Sequence, residues 1–182
     1  ELVGVGTPAT ADLDGDGSPE IAVGDGGGAV SIWSASGTLI TRMHTDPAFH
    51  DQGATNRWNR LKSGVLAQPS LGDLDGDGRL EIVATAMDRH VYAWHGDGTP
   101  VDGFPVLVVD PERTAAVDPR TEAVRFVDPD GVGDGGELIV TPTLADLDGD
   151  GRDEIVAVGS RGLVAVFEGA TGRMLWELPA AM

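Results

Sequence analysis

Asp12-Leu13-Asp14-Gly15-Asp16-Gly17-Ser18-Pro19-Glu20 returns as Asp73-Leu74-Asp75-Gly76-Asp77-Gly78-Arg79-Leu80-Glu81 and again as Asp146-Leu147-Asp148-Gly149-Asp150-Gly151-Arg152-Asp153-Glu154. Around each copy the register holds. A proline stands four residues before the first aspartate (Pro8, Pro69, Pro142), and a large aromatic stands 13 residues after the glutamate (Trp33, Trp94, Phe167). Three gapless copies of a 26-residue core mark one structural unit used three times. The joining pieces vary, with 61 residues from Asp12 to Asp73 and 73 from Asp73 to Asp146, as loop insertions produce.

Within each core the apolar runs are short and β-branched: Glu20-Ile-Ala-Val, Glu81-Ile-Val-Ala and Glu154-Ile-Val-Ala, then Ala29-Val-Ser-Ile-Trp, His90-Val-Tyr-Ala-Trp and Leu163-Val-Ala-Val-Phe. They predict strands rather than helices. A glycine turn follows each aromatic, at Ser36-Gly37, Asp97-Gly98 and Thr171-Gly172, and a further apolar stretch follows the turn. Four strands per unit result: A runs into the acidic loop, B leaves it, C ends at the aromatic and D follows the glycine turn. The expected fold is all-β, a partial β-propeller of about three four-stranded antiparallel blades. The chain divides as blade 1 over about 1–60, blade 2 over about 61–134 and blade 3 over about 135–182. The stretch from Val109 to Gly136, rich in Asp, Pro, Arg and Gly without sustained periodicity, reads as a long surface loop. The connection from His44 to Ser63, with Trp58, is expected to cover a blade edge or contact a partner.

In the acidic loops, carboxylates fall at positions 1, 3, 5 and 9, so a tightly curled loop can aim alternate side chains at one centre. Oxygen ligands select a hard cation, and calcium accepts six to eight oxygens in flexible geometry. The expected ligands are Asp12, Asp14, Asp16, Ser18 and Glu20; Asp73, Asp75, Asp77, Arg79 and Glu81; and Asp146, Asp148, Asp150, Arg152 and Glu154. At position 7, Ser18, Arg79 and Arg152 would each offer the backbone carbonyl. Position 6 is glycine in every copy, which permits a sharp turn. An EF-hand needs a glutamate at position 12, and here that position is Val23, Ala84 or Ala157. A bare Asp-Gly hairpin is the competing reading, and it leaves four carboxylates to repel one another. About three structural Ca2+ ions are therefore expected.

The pattern Pro-x-x-x-Asp-Leu-Asp-Gly-Asp-Gly-x-x-Glu-Ile resembles the FG-GAP repeat of integrin α-chain propellers and the similar VCBS repeat of bacterial surface and secreted proteins. The resemblance covers 78 of the 182 residues. It implies a propeller of about seven blades with calcium in the A–B hairpins, serving adhesion or ligand binding. Separately, Glu168-Gly-Ala-Thr171-Gly172-Arg-Met-Leu-Trp176 is similar to the tryptophan-docking motif of quinoprotein propellers, which implies packing between blades.

Composition bounds the partners. A net charge of -18 disfavours nucleic acid, whose binders carry a basic surface. No apolar stretch reaches half of the ~20 residues needed to span a bilayer, so membrane insertion is not expected. The absence of cysteine excludes thiolate zinc sites, disulfides and a Cys nucleophile. An opening on Glu1, with neither initiator methionine nor signal peptide, is expected of a processed or excised segment.

No nucleophile elbow, His-Glu-x-x-His helix or phosphate loop is present, and an enzyme is not expected. His44 and His50 with Asp46 and Asp51 form the one grouping with a possible acid/base or metal use, against a plain reading as exposed loop residues. His90 and His95 are expected at the ends of a strand. Trp33, Trp94 and Phe167 are expected to pack between blades, leaving Trp58 as the candidate for recognition. Three blades do not close a ring, so further blades from the same or another chain are expected. The leading function is a calcium-stabilised scaffold for binding protein or glycan, exported or at the cell surface. The alternatives are an accessory propeller of a secreted hydrolase or lyase, or a structural subunit of an extracellular assembly.

Overall fold

A computed structural model describes residues 6–52, 63–127, 137–159 and 162–179. Strands β1 (Ala9–Ala11), β2 (Glu20–Gly24), β3 (Ala29–Trp33) and β4 (Leu39–His44) form sheet 1 as an antiparallel meander. A 3-10 turn at Pro47–Gln52 follows. Sheet 2 repeats the meander with β5 (Ser70–Gly72), β6 (Glu81–Thr85), β7 (His90–Trp94) and β8 (Val106–Leu107). After the short strands β9 (Thr114–Val117) and β10 (Val124–Phe126), sheet 3 uses β11 (Thr143–Ala145), β12 (Glu154–Val158), β13 (Val164–Phe167) and β14 (Met174–Leu178). The same register step closes each A–B hairpin: Ala11 faces Glu20, Gly72 faces Glu81 and Ala145 faces Glu154. The nine-residue acidic motif is thus the loop of one hairpin, used three times.

The sheets stack face to face with β1, β5 and β11 side by side, the arrangement of propeller blades. Burial follows from that order. In β2 buried positions alternate with half-buried ones, whereas every residue of β6 and β7 is buried because sheet 2 lies between its neighbours. One core joins Leu13, Ala22, Val30, Ile32 and Met43 of sheet 1 to Ile82, Ala84, Tyr92 and Trp94 of sheet 2. A second joins Leu74, Val83, Val91 and Ala93 of sheet 2 to Ile155, Ala157, Ala165 and Phe167 of sheet 3. Trp94 and Phe167 pack between blades as expected, while Trp33 stays half-buried.

Between sheets, the second residue of each acidic loop acts as a knob. A Cβ added at Gly96 would lie 2.8 Å from the Leu13 carbonyl oxygen, and one at Gly169 would lie 2.9 Å from Leu74 Cδ2. At Gly96 only glycine lets the loop and the neighbouring C–D turn approach this closely, whereas at Gly169 an added Cβ would first meet the Asp153 carbonyl of its own sheet. Hydrogen bonds reinforce the stack: Asp153 N–H donates to the Asp73 carbonyl at 2.8 Å, and Gln68 Nε2 donates to the Pro8 carbonyl at 2.8 Å.

The stretch from Val109 to Gly136 is not simply a loop. Its described part, through Val127, holds the β9–β10 hairpin, in which Val117 faces Val124 and Thr114 faces Phe126. The strands have only four and three residues with a register shift, too little alternation to show as a period. Two side chains fasten the hairpin to sheet 2. Nε2 of His90 bonds Glu122 Oε2 at 2.8 Å, and the buried Arg89 guanidinium lies 5.0 Å from the Phe126 ring centroid. Arg89 has φ 72 at a turn position that is Gly28 in sheet 1 and Gly162 in sheet 3, so it holds a backbone conformation that costs roughly 1–2 kcal/mol for a side-chain-bearing residue. Trp58 lies outside the described residues.

Candidate metal centres

Each loop is curled by its own carboxylates. In the first, Asp12 accepts from Gly15 N–H at 2.8 Å and from Gly17 N–H at 2.9 Å, through its two oxygens. Asp14 accepts from Asp16 N–H, and Asp16 from Ser18 N–H. Asp73, Asp75 and Asp77 repeat the pattern on Gly76, Gly78, Asp77 and Arg79, as do Asp146, Asp148 and Asp150 on Gly149, Gly151, Asp150 and Arg152. The glycines at positions 4 and 6 all have φ between 79 and 89, so both are turn residues, and the first of the pair went unread in the sequence.

The closing glutamate links loop to core. Glu20, Glu81 and Glu154 are buried, and each accepts from the knob leucine's N–H: Leu13 at 2.9 Å, Leu74 at 2.8 Å and Leu147 at 2.8 Å. The other carboxylate oxygens converge. One oxygen from each of Asp12, Asp14 and Glu20 lies within 4.8 Å of the others, and the same holds for Asp73, Asp75 and Asp77 and for Asp146, Asp148 and Glu154. In the second loop Glu81 converges instead with Asp75 and His95, and among the expected carboxylate ligands Asp16 and Asp150 lie outside all of these sets. At position 7, Ser18, Arg79 and Arg152 commit their N–H groups to the loop, and the Arg152 side chain runs along Gly76 of the second loop.

This donor set fits calcium: carboxylate oxygens, a flexible loop and several oxygens free of backbone bonds. In the second loop, burial pushes the Glu81 carboxyl up, the Leu74 amide and His95 partly offset this, and the Asp75 charge adds to it. A cation there would relieve both the burial and the repulsion. His95 Nδ1, 3.2 Å from Glu81 Oε1, is peculiar to this loop, since Ser34 and Glu168 stand at the corresponding positions.

Elsewhere, His50 Nε2 pairs with Thr45 Oγ1 at 3.1 Å, and no metal-sized group involving His44 or His50 forms among the described residues. A buried polar relay escaped the sequence reading. Asp88 Oδ1 accepts from His90 N–H at 3.0 Å, Asp88 Oδ2 accepts from the Tyr92 hydroxyl at 2.8 Å, and Phe49 stacks on His90 with centroids 4.3 Å apart. Its signal was the i, i+2, i+4 spacing of Asp88, His90 and Tyr92, which puts three polar side chains on one strand face. Next to it, a cleft of about 380 Å³ is lined by Pro47, Tyr92, Trp94, Pro100, Phe104 and Pro105, together with His44 and Asp46.

The first two acidic loops, with the strand that follows each, lie in a stretch that matches a known repeat. Residues 12–84 match the FG-GAP-like repeat. That repeat reaches from the first acidic loop to strand β6. No curated protein sequence matches the chain. Among solved structures, BamB from Moraxella catarrhalis superposes with a TM-score of 0.54 at 14% identity, covering 96% of this chain and 38% of that one. BBS1N, solved in complex with ARL6DN, gives 0.59 at 10% identity, covering 97% and 45%. A quinohemoprotein alcohol dehydrogenase from Pseudomonas putida HK5 gives 0.51 at 16% identity, covering 98% and 22%. At these identities the likeness is one of fold, and the chain spans less than half of each of these three structures.

Proposed function

We propose that this chain is a calcium-stabilised part of a β-propeller that acts as a binding scaffold for protein or glycan in an exported or cell-surface protein, without catalysis of its own. The observation that carries the reading is the threefold convergence of loop carboxylates, each tied through a buried glutamate to the leucine packed in, or offered to, the next blade interface. Calcium would be held by the converged carboxylates, Asp12, Asp14 and Glu20 in the first loop, with the Ser18 carbonyl and with Asp16 turning in to join them, and by the matching residues of the other two loops. Its charge would neutralise the carboxylates and hold the hairpins that set the blade stack. Where free calcium is plentiful, such loops staple a cysteine-free chain.

The cleft beside Trp94 is the candidate ligand surface. Its volume of about 380 Å³ suits one sugar ring or one side chain, with proline and aromatic walls and few polar groups. Completion of the ring by further blades belongs to the same reading.

Isothermal titration of calcium into chelator-stripped protein, with melting curves before and after, tests the scaffold. Binding of about three ions with a rise in Tm is expected, one per loop. No heat and no change in Tm would return the loops to bare hairpins and end the calcium reading.

A further inference from the structure

Two of the three knob leucines are covered and one is not. Leu13 is 5% exposed and Leu74 is 0% exposed, each under the next sheet, but Leu147 is 53% exposed. The face around it repeats the covered faces position by position. Val156, Val158 and Val164 of sheet 3 stand where sheet 1 has Ala22, Gly24 and Val30, and register places Trp176 beside Val166 and Leu178 beside Val164. Leu178 is 58% exposed where its sheet 1 counterpart Met43 is buried, and Trp176 is 48% exposed where its counterpart Thr41 is half-buried. The open face is therefore continuous in kind with two interfaces that the structure already shows closed.

Those interfaces also state what the occupant must carry. Gly96 seats Leu13 against its backbone carbonyl, and Gly169 stands at the same position against Leu74, although a Cβ there would first meet the Asp153 carbonyl of its own sheet. Both glycines lie two residues beyond the aromatic that closes strand C. In sheet 1 the corresponding position, two residues beyond Trp33, is Ala35, which is exposed. A methyl group at that site in the observed geometry would sit 2.8 Å from a backbone carbonyl oxygen, closer than van der Waals contact allows without a shift of the loop.

We infer that the outer face of sheet 3 docks a partner sheet of this same repeat that carries glycine two residues past its closing aromatic, and that a second copy of this chain, entering with sheet 1, is excluded by Ala35. The assignment rests on the blade reading given above. Leu147 supplies the knob, Val156, Val158, Val164, Trp176 and Leu178 supply the apolar surface, and the partner's glycine supplies the seat.

Sedimentation velocity of the 182-residue chain in calcium tests this with its own residues. The wild type is expected at the monomer mass, Ala35→Gly at the mass of a head-to-tail dimer or larger assembly, and Ala35→Gly combined with Leu147→Asp at the monomer mass again. Wild-type association that Leu147→Asp abolishes would make a second copy the occupant and overturn the exclusion. A monomeric Ala35→Gly would overturn the glycine seat. The calcium-induced rise in Tm, measured on the same samples, reports separately on the loops: if it is intact while Ala35→Gly stays monomeric, the partner assignment fails and the scaffold reading stands.

Discussion

Leu74 lies against Gly169, with its Cδ2 2.9 Å from where a Cβ on that glycine would be. The contact joins the acidic loop of one sheet to the C–D turn of the next. Removing the Leu74 side chain leaves a cavity in the core between sheets 2 and 3, and Leu74→Ala should cost about 2–5 kcal/mol. Gly96→Ala pushes a methyl group at the Leu13 carbonyl and should cost about 1–3 kcal/mol. Leu147→Ala, at the equivalent but open position, should stay within about 0.5 kcal/mol of wild type. Urea unfolding of the three variants in calcium gives the comparison, and equal losses would mean that the blade stack is misread.

The loops predict a different pattern under chelation. Asp75→Ala and Asp148→Ala should each remove one calcium ion from the titration and lower the Tm measured in calcium, with little further loss when chelator is added. His50→Ala, whose ring pairs with Thr45, should titrate like wild type. An equal loss of calcium in all three variants would show that the ions sit elsewhere.

The strand order was legible because Pro8, Pro69 and Pro142 fix one register and the aromatics at Trp33, Trp94 and Phe167 close it. The periods of the strands between them carry the rest of the meander. The converging carboxylates were legible too, since alternate residues of a curled loop face inward. What the repeat hid was its exceptions. Arg89 replaces a turn glycine, Ala35 replaces a seat glycine, and His90 and Glu122 join residues 32 apart in sequence, across a hairpin too short to show a period. Local pattern reports what a unit shares, whereas these residues act between units.

The relay at His90 gives the chain a pH dependence. Burial alone would lower the His90 pKa, but Asp88 and then Glu122 outweigh it, so the folded-state value lies above the ordinary histidine value. A group whose pKa is raised on folding contributes stability that is fully present below its unfolded pKa and is lost as pH rises through the folded one. Stability in calcium should therefore fall as pH rises from the ordinary histidine range through the raised value. His90→Gln should flatten that slope and cost roughly 1–3 kcal/mol at the acid end by leaving Glu122 and Asp88 short of a partner. Urea midpoints across that range, for wild type and variant, measure both effects.

Tyr92 supplies the last test because it is the single tyrosine of the chain, so phenolate absorbance reports on it alone. Burial, then the Asp88 charge and the hydrogen bond to Asp88, push its hydroxyl well above the ordinary tyrosine range, while the Asp46 amide bond offsets only part. Alkaline titration of the folded protein should show no phenolate band near pH ~10, where an exposed tyrosine ionises. The band should instead appear together with loss of the folded circular dichroism signal, because the proton leaves only when the Asp88–Tyr92 pair opens. Asp88→Asn removes the neighbouring charge and should bring the ionisation down. A wild-type phenolate band at the ordinary pH in a still-folded chain would place Tyr92 in water and take the relay apart.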